Sequence, residues 1–254
     1  MRKKYFFFDL DGTLAPNIHK IVPADTRQAL QELQAAGHEV VLATGRLQID
    51  AWATAQELGI RHMVSDGGKG LTIDGQVRRL ESLPVNPCKN LLHALEKVGI
   101  PWAAVSENKM ERWTTDNDFS QYGDHYFMNQ FVSAEAIDTA KFFYKIFIHH
   151  DPNTAPFPVN TGDLPVVPYA KRFLLIEPME KGRGIEDLMS YLGGPLEDVV
   201  VFGDGLNDIH MFDPRWTSIA MGNAREELKV HADYITGNAD QGGISQALRH
   251  YGWL

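Results

Sequence analysis

The sequence has one cysteine, no long apolar run and fewer basic than acidic residues. Because a disulfide needs two cysteines, Cys88 cannot form one within the chain, which suits a reducing compartment. No stretch approaches the roughly 20 apolar residues of a membrane-spanning helix. The formal net charge of −9 argues against nucleic acid or an anionic membrane as a partner, since either would favour a basic surface. A small phosphorylated partner stays compatible with this charge, because one local pair of basic residues can hold it.

The first eight residues place a basic tip before apolar residues, as a secretory signal does. Asp9 ends that apolar run directly after Tyr5–Phe8. The run is therefore much shorter than the about 7 to 15 apolar residues of a signal segment. We expect a cytoplasmic protein.

Strands and helices alternate near both ends of the sequence, a rhythm typical of βαβ units around a parallel sheet. In the first part we predict strands at 4–10, 38–43 and 60–64, separated by helices at 23–36 and 49–58. The alternation returns after Glu180, with a strand at 199–202 and a helix from Asn207. We therefore predict an α/β fold, with a Rossmann-like parallel-sheet core formed by residues 1–80 and 179–254.

Residues 81–178 have a different, mixed pattern, which predicts an α+β domain inserted into that core. An Asp-Gly turn at Asp74 predicts a hairpin over 70–80, just before the insert. Within the insert we predict helices at 90–98 and 134–143, strands at 102–105, 109–114, 144–148 and 173–176, and a loop over 152–168.

Two short acidic clusters each follow a predicted strand. Asp9 and Asp11 come directly after the first strand, and Asp204 and Asp208 come after the strand that ends at Phe202. Ligands of open α/β sheets bind at the carboxyl ends of the strands, so we expect the two clusters to meet in one pocket. Two like charges 4 Å apart cost about 4 kcal/mol at an effective dielectric of ~20, so a positive group must offset them. The oxygen-only ligands favour a hard cation, Mg²⁺ rather than zinc.

Two further segments can bind an anion. Thr44-Gly45-Arg46 ends the second predicted strand and offers a hydroxyl, a flexible backbone amide and a guanidinium. Lys181 opens a predicted helix, whose first N–H groups and dipole attract negative charge. Each segment alone is more often a turn or a solvated charge. Together with the two acidic clusters, they indicate a metal-assisted phosphoryl-transfer pocket.

Four segments resemble, in their order and setting, the four motifs of the haloacid dehalogenase (HAD) superfamily. They are Asp-Leu-Asp-Gly-Thr at 9–13, Thr-Gly-Arg at 44–46, Lys-Gly at 181–182 and Gly-Asp-Gly-Leu-Asn-Asp at 203–208. The insert between the second and third motifs is similar to the type IIB cap of Cof-like phosphatases. The resemblance implies that 1–80 and 179–254 form an HAD-like catalytic core and that 81–178 form its cap.

The resemblance also implies a Mg²⁺-dependent phosphatase that hydrolyses phosphate monoesters of small metabolites, such as sugar phosphates, through an aspartyl-phosphate. Asp9 would be the nucleophile and Asp11 the general acid and base. The implied metal ligands are Asp9, the backbone carbonyl of Asp11, Asp204 and Asp208, the last as a ligand or as the group that orients a metal-bound water. The implied phosphate-binding residues are Thr44, Gly45, Arg46, Lys181 and Asn207, with a surface or packing role for Arg46 equally open.

Two other interpretations stay open. A phosphosugar mutase or phosphotransferase would use the same aspartyl-phosphate but pass the phosphoryl group to a hydroxyl. A non-catalytic binding protein on this scaffold is the third interpretation, which the intact motifs disfavour. The expected partner is a small phosphorylated metabolite, with neither nucleic acid nor membrane, and nothing in the sequence indicates the oligomeric state.

The sequence departs from the family pattern after the third predicted strand, where Asp66 stands at the usual asparagine. The departure adds a negative charge near the junction with the insert. In the insert, Glu107, Lys109 and Arg112 lie between two predicted strands and could contact a polar part of the substrate. We favour a solvated hairpin for them.

Overall fold

The computed structural model describes residues 2–17, 21–151, 153, 156–169 and 172–254. The chain divides into two compact units, one formed by Met1–Leu80 with Met179–Leu254 and the other by Glu81–Pro178. The first unit contains an eight-stranded sheet and the second a six-stranded sheet. The predicted α/β fold around a parallel sheet is confirmed. The assignment of the two stretches as catalytic core and cap stays a prediction.

The strands of the described residues are β1 (Tyr5–Phe8), β2 (Glu39–Ala43), β3 (His62–Ser65), β4 (Gly70–Ile73), β5 (Gln76–Leu80), β6 (Trp102–Val105), β7 (Glu111–Thr114), β8 (Met128–Phe131), β9 (Lys145–His149), β10 (Val166–Tyr169), β11 (Phe173–Ile176), β12 (Val199–Gly203), β13 (Thr217–Ala220) and β14 (Tyr234–Ile235). The helices are α1 (Ala24–Ala35), α2 (Gln48–Glu57), α3 (Val85–Val98), α4 (Ala136–Thr139), α5 (Lys181–Leu192), α6 (Glu226–Lys229) and α7 (Gly243–His250). None of the helices in the described ranges combines the length and apolar character needed to cross a bilayer.

The sheet of the first unit has the order β14-β13-β12-β1-β2-β3-β4-β5. The strands from β14 to β3 pair in parallel, and β4 and β5 add an antiparallel edge. In the ladders, Phe8 of β1 stands opposite Leu42 of β2 and Phe202 of β12. The carboxyl ends of β1, β2 and β12 therefore lie at the same level of the sheet, and the loops that follow them begin there. β1 has its sequence neighbour β2 on one side and β12 on the other, which is the switch point where open α/β sheets bind ligands.

The apolar run before Asp9 forms the centre of the core. Phe6 and Phe8 pack with residues of α1, α2 and α7 on one face of the sheet, whereas Phe7 packs with α5 on the other. All three phenylalanine side chains are fully buried. A strand covered on both faces has a continuous apolar sequence instead of an alternating one, which explains this run. The rings of Phe8 and Phe202 stack with their centroids 4.7 Å apart. Phe8 directly precedes Asp9, and Phe202 lies two residues before Asp204.

The sheet of the second unit has the order β10-β11-β9-β6-β7-β8. Leu91, Leu92 and Leu95 of α3 pack against one of its faces. Two of its edge strands, β8 and β10, were not predicted, and β10 occupies the end of the predicted loop over 152–168. Residues 152, 154 and 155 of that loop lie outside the described residues.

Arg112 of β7 contradicts the expectation of a fully solvated hairpin. Its side chain is completely buried, with the guanidinium carbon 4.8 Å from the ring centroid of Phe119 and 5.0 Å from that of Phe147. It donates hydrogen bonds to the Oδ2 (2.5 Å) and the backbone carbonyl (2.9 Å) of Asp124. Lys109 is exposed, as expected, and pairs with Glu107 at 2.5 Å. A buried guanidinium needs hydrogen bonds and a charged partner, and Asp124 provides both. Arg112 therefore has a structural role inside the second unit.

The first turn of α5 packs very closely against the rest of the first unit. A Cβ atom on Gly182 would lie 2.0 Å from the backbone carbonyl oxygen of His210, and one on Gly184 would lie 2.4 Å from a methyl group of Val64. No side chain fits at either position unless the backbone shifts. This close approach fixes the position of Lys181, the first residue of the helix.

We expect Gly182→Ala to lower the free energy of unfolding by at least about 1 kcal/mol, measured by urea denaturation. The clash with the His210 carbonyl costs more than the at most ~1 kcal/mol of helix propensity that alanine adds. Ser190→Ala, on an exposed turn of the same helix, is the matched control and should change stability by less than about 0.5 kcal/mol. If Gly182→Ala were as stable as the wild type, α5 could move away from the His210 carbonyl without a loss of stability.

Candidate active site

The two predicted acidic clusters meet at the carboxyl ends of β1 and β12. The backbone N–H of Asp9 donates to the carbonyl of Phe202 at 3.0 Å, so the parallel ladder extends to the first residue after β1. One carboxylate oxygen from each of Asp9, Asp204 and Asp208 lies within 4.8 Å of the others. Residues nearly two hundred positions apart therefore share one small volume, as the sequence predicts.

The ammonium group of Lys181 lies between two of these carboxylates. Its Nζ donates to Oδ1 of Asp9 and to Oδ1 of Asp208, each at 2.6 Å, and its side chain is buried. Burial alone would lower the pKa of Lys181, but the carboxylates of Asp208 and Asp9 outweigh it and raise the pKa above its ordinary value. The lysine is therefore charged, and it holds its partners in place.

One ammonium cannot neutralise three carboxylates. Burial, reinforced by the charge of Asp208, raises the pKa of Asp9 well above its ordinary value. The same two causes raise the pKa of Asp204 to about 7. With all three carboxylates ionised, the cluster would carry two negative charges more than Lys181 balances, and its donors are all carboxylate oxygens. A hard divalent cation fits both the charge and the donor set.

The loop after β1 orients Asp204. The hydroxyl of Thr13 donates to Oδ1 of Asp204 at 2.9 Å. Gly12 has a φ of +88°, and a Cβ atom there would lie 2.1 Å from Oδ2 of the same aspartate. Only glycine provides both the left-handed backbone and the space that Asp204 occupies. Thr13 belongs to the first motif, but its orienting role was not inferred from the sequence.

Asp208 mainly holds the loop that follows β12. Its Oδ2 accepts the backbone N–H groups of Asp204 and Gly205, each at 2.9 Å, while its Oδ1 accepts Lys181. Both of its oxygens are thus occupied within the protein. A further role of Asp208 as a metal ligand, or as the group that orients a metal-bound water, stays a prediction.

The remaining residues expected to bind phosphate follow β2 and β12 at the same edge of the sheet. The backbone N–H of Arg46 donates to the buried hydroxyl of Thr44 at 3.1 Å, which curves the chain through the half-exposed Gly45. Asn207 lies in the turn after β12, and its Oδ1 stands 2.3 Å from the place that a Cβ atom on Gly205 would take.

Arg46 extends to other acidic side chains. Its Nε and Nη2 donate to the two carboxylate oxygens of Asp11 at 2.6 and 2.7 Å. Its Nη1 donates to Oδ2 of Asp50, in the first turn of α2, at 2.9 Å. Asp50 was not among the predicted site residues. The structure thus brings Arg46 to the proposed acid and base, while a phosphate contact of Arg46 stays a prediction.

The extra negative charge of Asp66 is stabilised by groups close to it. Its Oδ2 accepts the backbone N–H of Gln48, the first residue of α2, at 2.9 Å, where the helix dipole stabilises an anion. Its own N–H donates to the carbonyl of Arg46 at 2.8 Å. Asp66 therefore binds the chain on both sides of Leu47, at the cost of a φ of +50° that is unusual for a residue with a side chain.

Comparison with known proteins agrees with this geometry. The sequence matches the model of the haloacid dehalogenase-like hydrolases over residues 6–156 and 171–248. YkrA, a Bacillus subtilis protein with a provisional phosphatase name, is 30% identical over 259 aligned residues that cover 100% of both chains. A hypothetical protein from Geobacillus kaustophilus has a solved structure that matches with a TM-score of 0.86 at 28% identity, over 100% of both chains. The structure of a sugar phosphatase of HAD subclass IIB matches with a TM-score of 0.80 at 25% identity, over 99% of this chain and 100% of the other.

The family match covers most of the sequence, and the relatives have the same extent as this chain. These findings confirm the resemblance carried by the four motifs. The chain belongs to the haloacid dehalogenase-like hydrolase family and is a phosphatase.

Proposed function

We propose that the protein uses Mg²⁺ to hydrolyse phosphate monoesters of small metabolites, sugar phosphates first among them, through an aspartyl-phosphate on Asp9. The observation that carries the proposal is the buried Lys181, which pairs with Asp9 and Asp208 at 2.6 Å inside the acidic cluster. Support for a sugar phosphate comes from the similarity to the subclass IIB sugar phosphatase. The cytoplasmic location expected from the sequence stays part of the proposal.

In this proposal Asp9, the backbone carbonyl of Asp11 and Asp204 would hold the Mg²⁺, and Asp208 would ligate it as well or orient a metal-bound water. A bound Mg²⁺ would offset the repulsion between the carboxylates and a phosphate dianion and would stabilise charge that develops on the phosphoryl oxygens. The acidic cluster has the charge and the oxygen donors for such an ion.

Asp9 acts as the nucleophile in the first step. Its carboxylate oxygen bonds to phosphorus while the bond from phosphorus to the leaving oxygen breaks, and Asp11 gives its proton to that oxygen. The attack requires Asp9 in its ionised form, which Lys181 and a bound cation would favour against the effect of burial, and Lys181 holds the carboxylate in a fixed direction. In the second step water attacks phosphorus and Asp11 takes a proton from the water. The bond from phosphorus to Asp9 breaks, so inorganic phosphate is released and Asp9 returns to its carboxylate form.

The phosphoryl oxygens are held by donors at the same edge of the sheet. We assign this role to Thr44, the Gly45 amide, Lys181 and Asn207, with Arg46 as an additional contact. Fixed donors aimed at developing charge are an effective way to stabilise a loose phosphoryl-transfer transition state. We further propose that 1–80 with 179–254 are the catalytic core and that 81–178 are a cap that selects the leaving group.

We expect Asp9→Asn to abolish phosphate release, because the amide cannot take the phosphoryl group. Acid quenching during turnover followed by peptide mass analysis should find a phosphoryl group on the Asp9 peptide of the wild type and none in the variant. Asp74→Asn, at a side chain that is 57% exposed, should keep full activity. Turnover by Asp9→Asn near the wild-type rate would rule out the covalent route.

Replacement of Lys181 by methionine should lower kcat by about 10²- to 10³-fold, the loss typical of removing one key donor in a charge-stabilising site. Methionine keeps the length and apolar stem of the side chain but leaves Asp9 and Asp208 without their shared cation. Lys3→Met, at an exposed ion pair with Glu39, serves as the charge-matched control. Equal kcat for both variants would show that Lys181 only supports the fold.

A phosphate-release screen over sugar phosphates, nucleotides and cofactor precursors, with Mg²⁺ or with EDTA, tests the metal requirement and the substrate class. We expect release only with Mg²⁺. The wild type should also melt at a higher temperature in Mg²⁺, since an ion at 100 times its Kd adds about 2.7 kcal/mol of stability. Asp204→Asn should lose most of that thermal shift. Isomerised sugar phosphate without net phosphate release would favour the mutase instead.

A further inference from the structure

Three charged side chains connect helix α2 to the loop after β1. Arg46 binds both carboxylate oxygens of Asp11 at 2.6 and 2.7 Å. Its third described donor, Nη1, binds Oδ2 of Asp50 at 2.9 Å. The Arg46 side chain is 12% exposed and that of Asp50 only 7%, so this pair is shielded from water, whereas the Asp11 side chain is 32% exposed.

The buried ion pair of Arg46 and Asp50 is expected to add little to the free energy of unfolding. Taking a carboxylate and a guanidinium out of water costs several kcal/mol per ion, and their attraction at best restores that loss. A buried ion pair is weak evidence for a role in stability, and the geometry of this pair suits a role in orientation.

The guanidinium is planar and rigid, and its fork matches the two oxygens of a carboxylate. Bound in this way, Asp11 loses the rotation of its side chain. Arg46 itself has a long, flexible side chain. Its backbone is fixed by Thr44 and Asp66, whose bonds to the N–H and carbonyl groups of Arg46 measure 3.1 and 2.8 Å. Asp50 adds a fixed point at the far end of the side chain, on a residue of α2 one helical turn away.

We propose that Asp50 is a positioning residue for the general acid and base. It holds the Arg46 fork, and the fork sets the direction of the Asp11 carboxyl group. The inference rests on the proposed function, in which Asp11 gives a proton to the leaving oxygen as the bond from phosphorus to that oxygen breaks and the bond from phosphorus to Asp9 forms. A carboxyl group turned away from the leaving oxygen cannot make this transfer, whatever its charge state.

Two aryl phosphates of similar shape separate this role from a structural one. Phenyl phosphate releases a phenolate with the proton affinity of tyrosine, whose pKa is about 10, so its departure is helped by a proton donor. In p-nitrophenyl phosphate the nitro group stabilises the leaving anion, and no proton is needed. The value of kcat/KM reports the steps up to loss of the leaving group, so the ratio of the two values measures help from the acid.

We expect Asp50→Ala to lower kcat/KM for phenyl phosphate at least about fivefold more than for p-nitrophenyl phosphate, a part of the roughly 10²- to 10⁴-fold that a general acid contributes. Asp50→Asn keeps the volume and one oxygen acceptor for Nη1, so it should restore part of the selectivity and carries the test if the alanine variant fails to fold. Asp11→Asn should show the same selective loss at larger size, and adding Asp50→Ala to it should change the ratio no further.

Asp198→Asn is the matched control, because Asp198 is a buried carboxylate of the same unit that pairs with Lys4 at 2.9 Å, just before β12. Any loss there should affect both substrates equally. An equal loss, or no loss, in both Asp50 variants would overturn the positioning role, provided that Asp9→Asn is inactive. An active Asp9→Asn would overturn the proposed function instead, and the positioning role would fall with it.

Discussion

The first unit is organised around one buried ammonium group and the carboxylates that share it. Lys181 can lie between Asp9 and Asp208 at 2.6 Å only because α5 approaches the turn after β12 without a side chain at Gly182. The parallel ladder holds the two strands that carry the acidic residues at the same level. Packing and charge thus depend on each other here. The lysine offsets part of the repulsion among the acids, and the sheet prevents them from moving apart.

Much of the fold follows from local chemistry in the sequence. The Asp74-Gly75 turn forms as predicted, with φ values of +47° and +75° that suit these two residues in a tight hairpin. The two missed strands of the second unit are edge strands with weak patterns. β8 reads Met-Asn-Gln-Phe, and β10 contains Pro168, which is tolerated only where a strand lacks a partner on one side. The helix predicted from Asn207 is a short 3₁₀ turn over Leu206–Met211.

Site residues could be predicted from the sequence where their positions depend on the ends of strands. Their contacts could not be predicted where they depend on the direction of a side chain. Parallel strands bring Asp9 and Asp204 together, so their meeting follows from the order of strands and helices. The path of the Arg46 guanidinium to Asp11 and Asp50 depends on the rotamers of three side chains, which no motif records. The only trace in the sequence is the spacing of four between Arg46 and Asp50, which suits a pair on one helical face.

The burial of β1 also bears on how the enzyme would lose its activity. Phe6, Phe7 and Phe8 are covered on both faces, and the strand has ladder partners on both sides. Fraying of edges and loops therefore leaves this strand intact, because its amides open only when the surrounding sheet opens. Asp9 is attached to a segment with few routes of local opening. Heating should then convert the first unit directly from active to unfolded, without a loosened form that retains partial turnover.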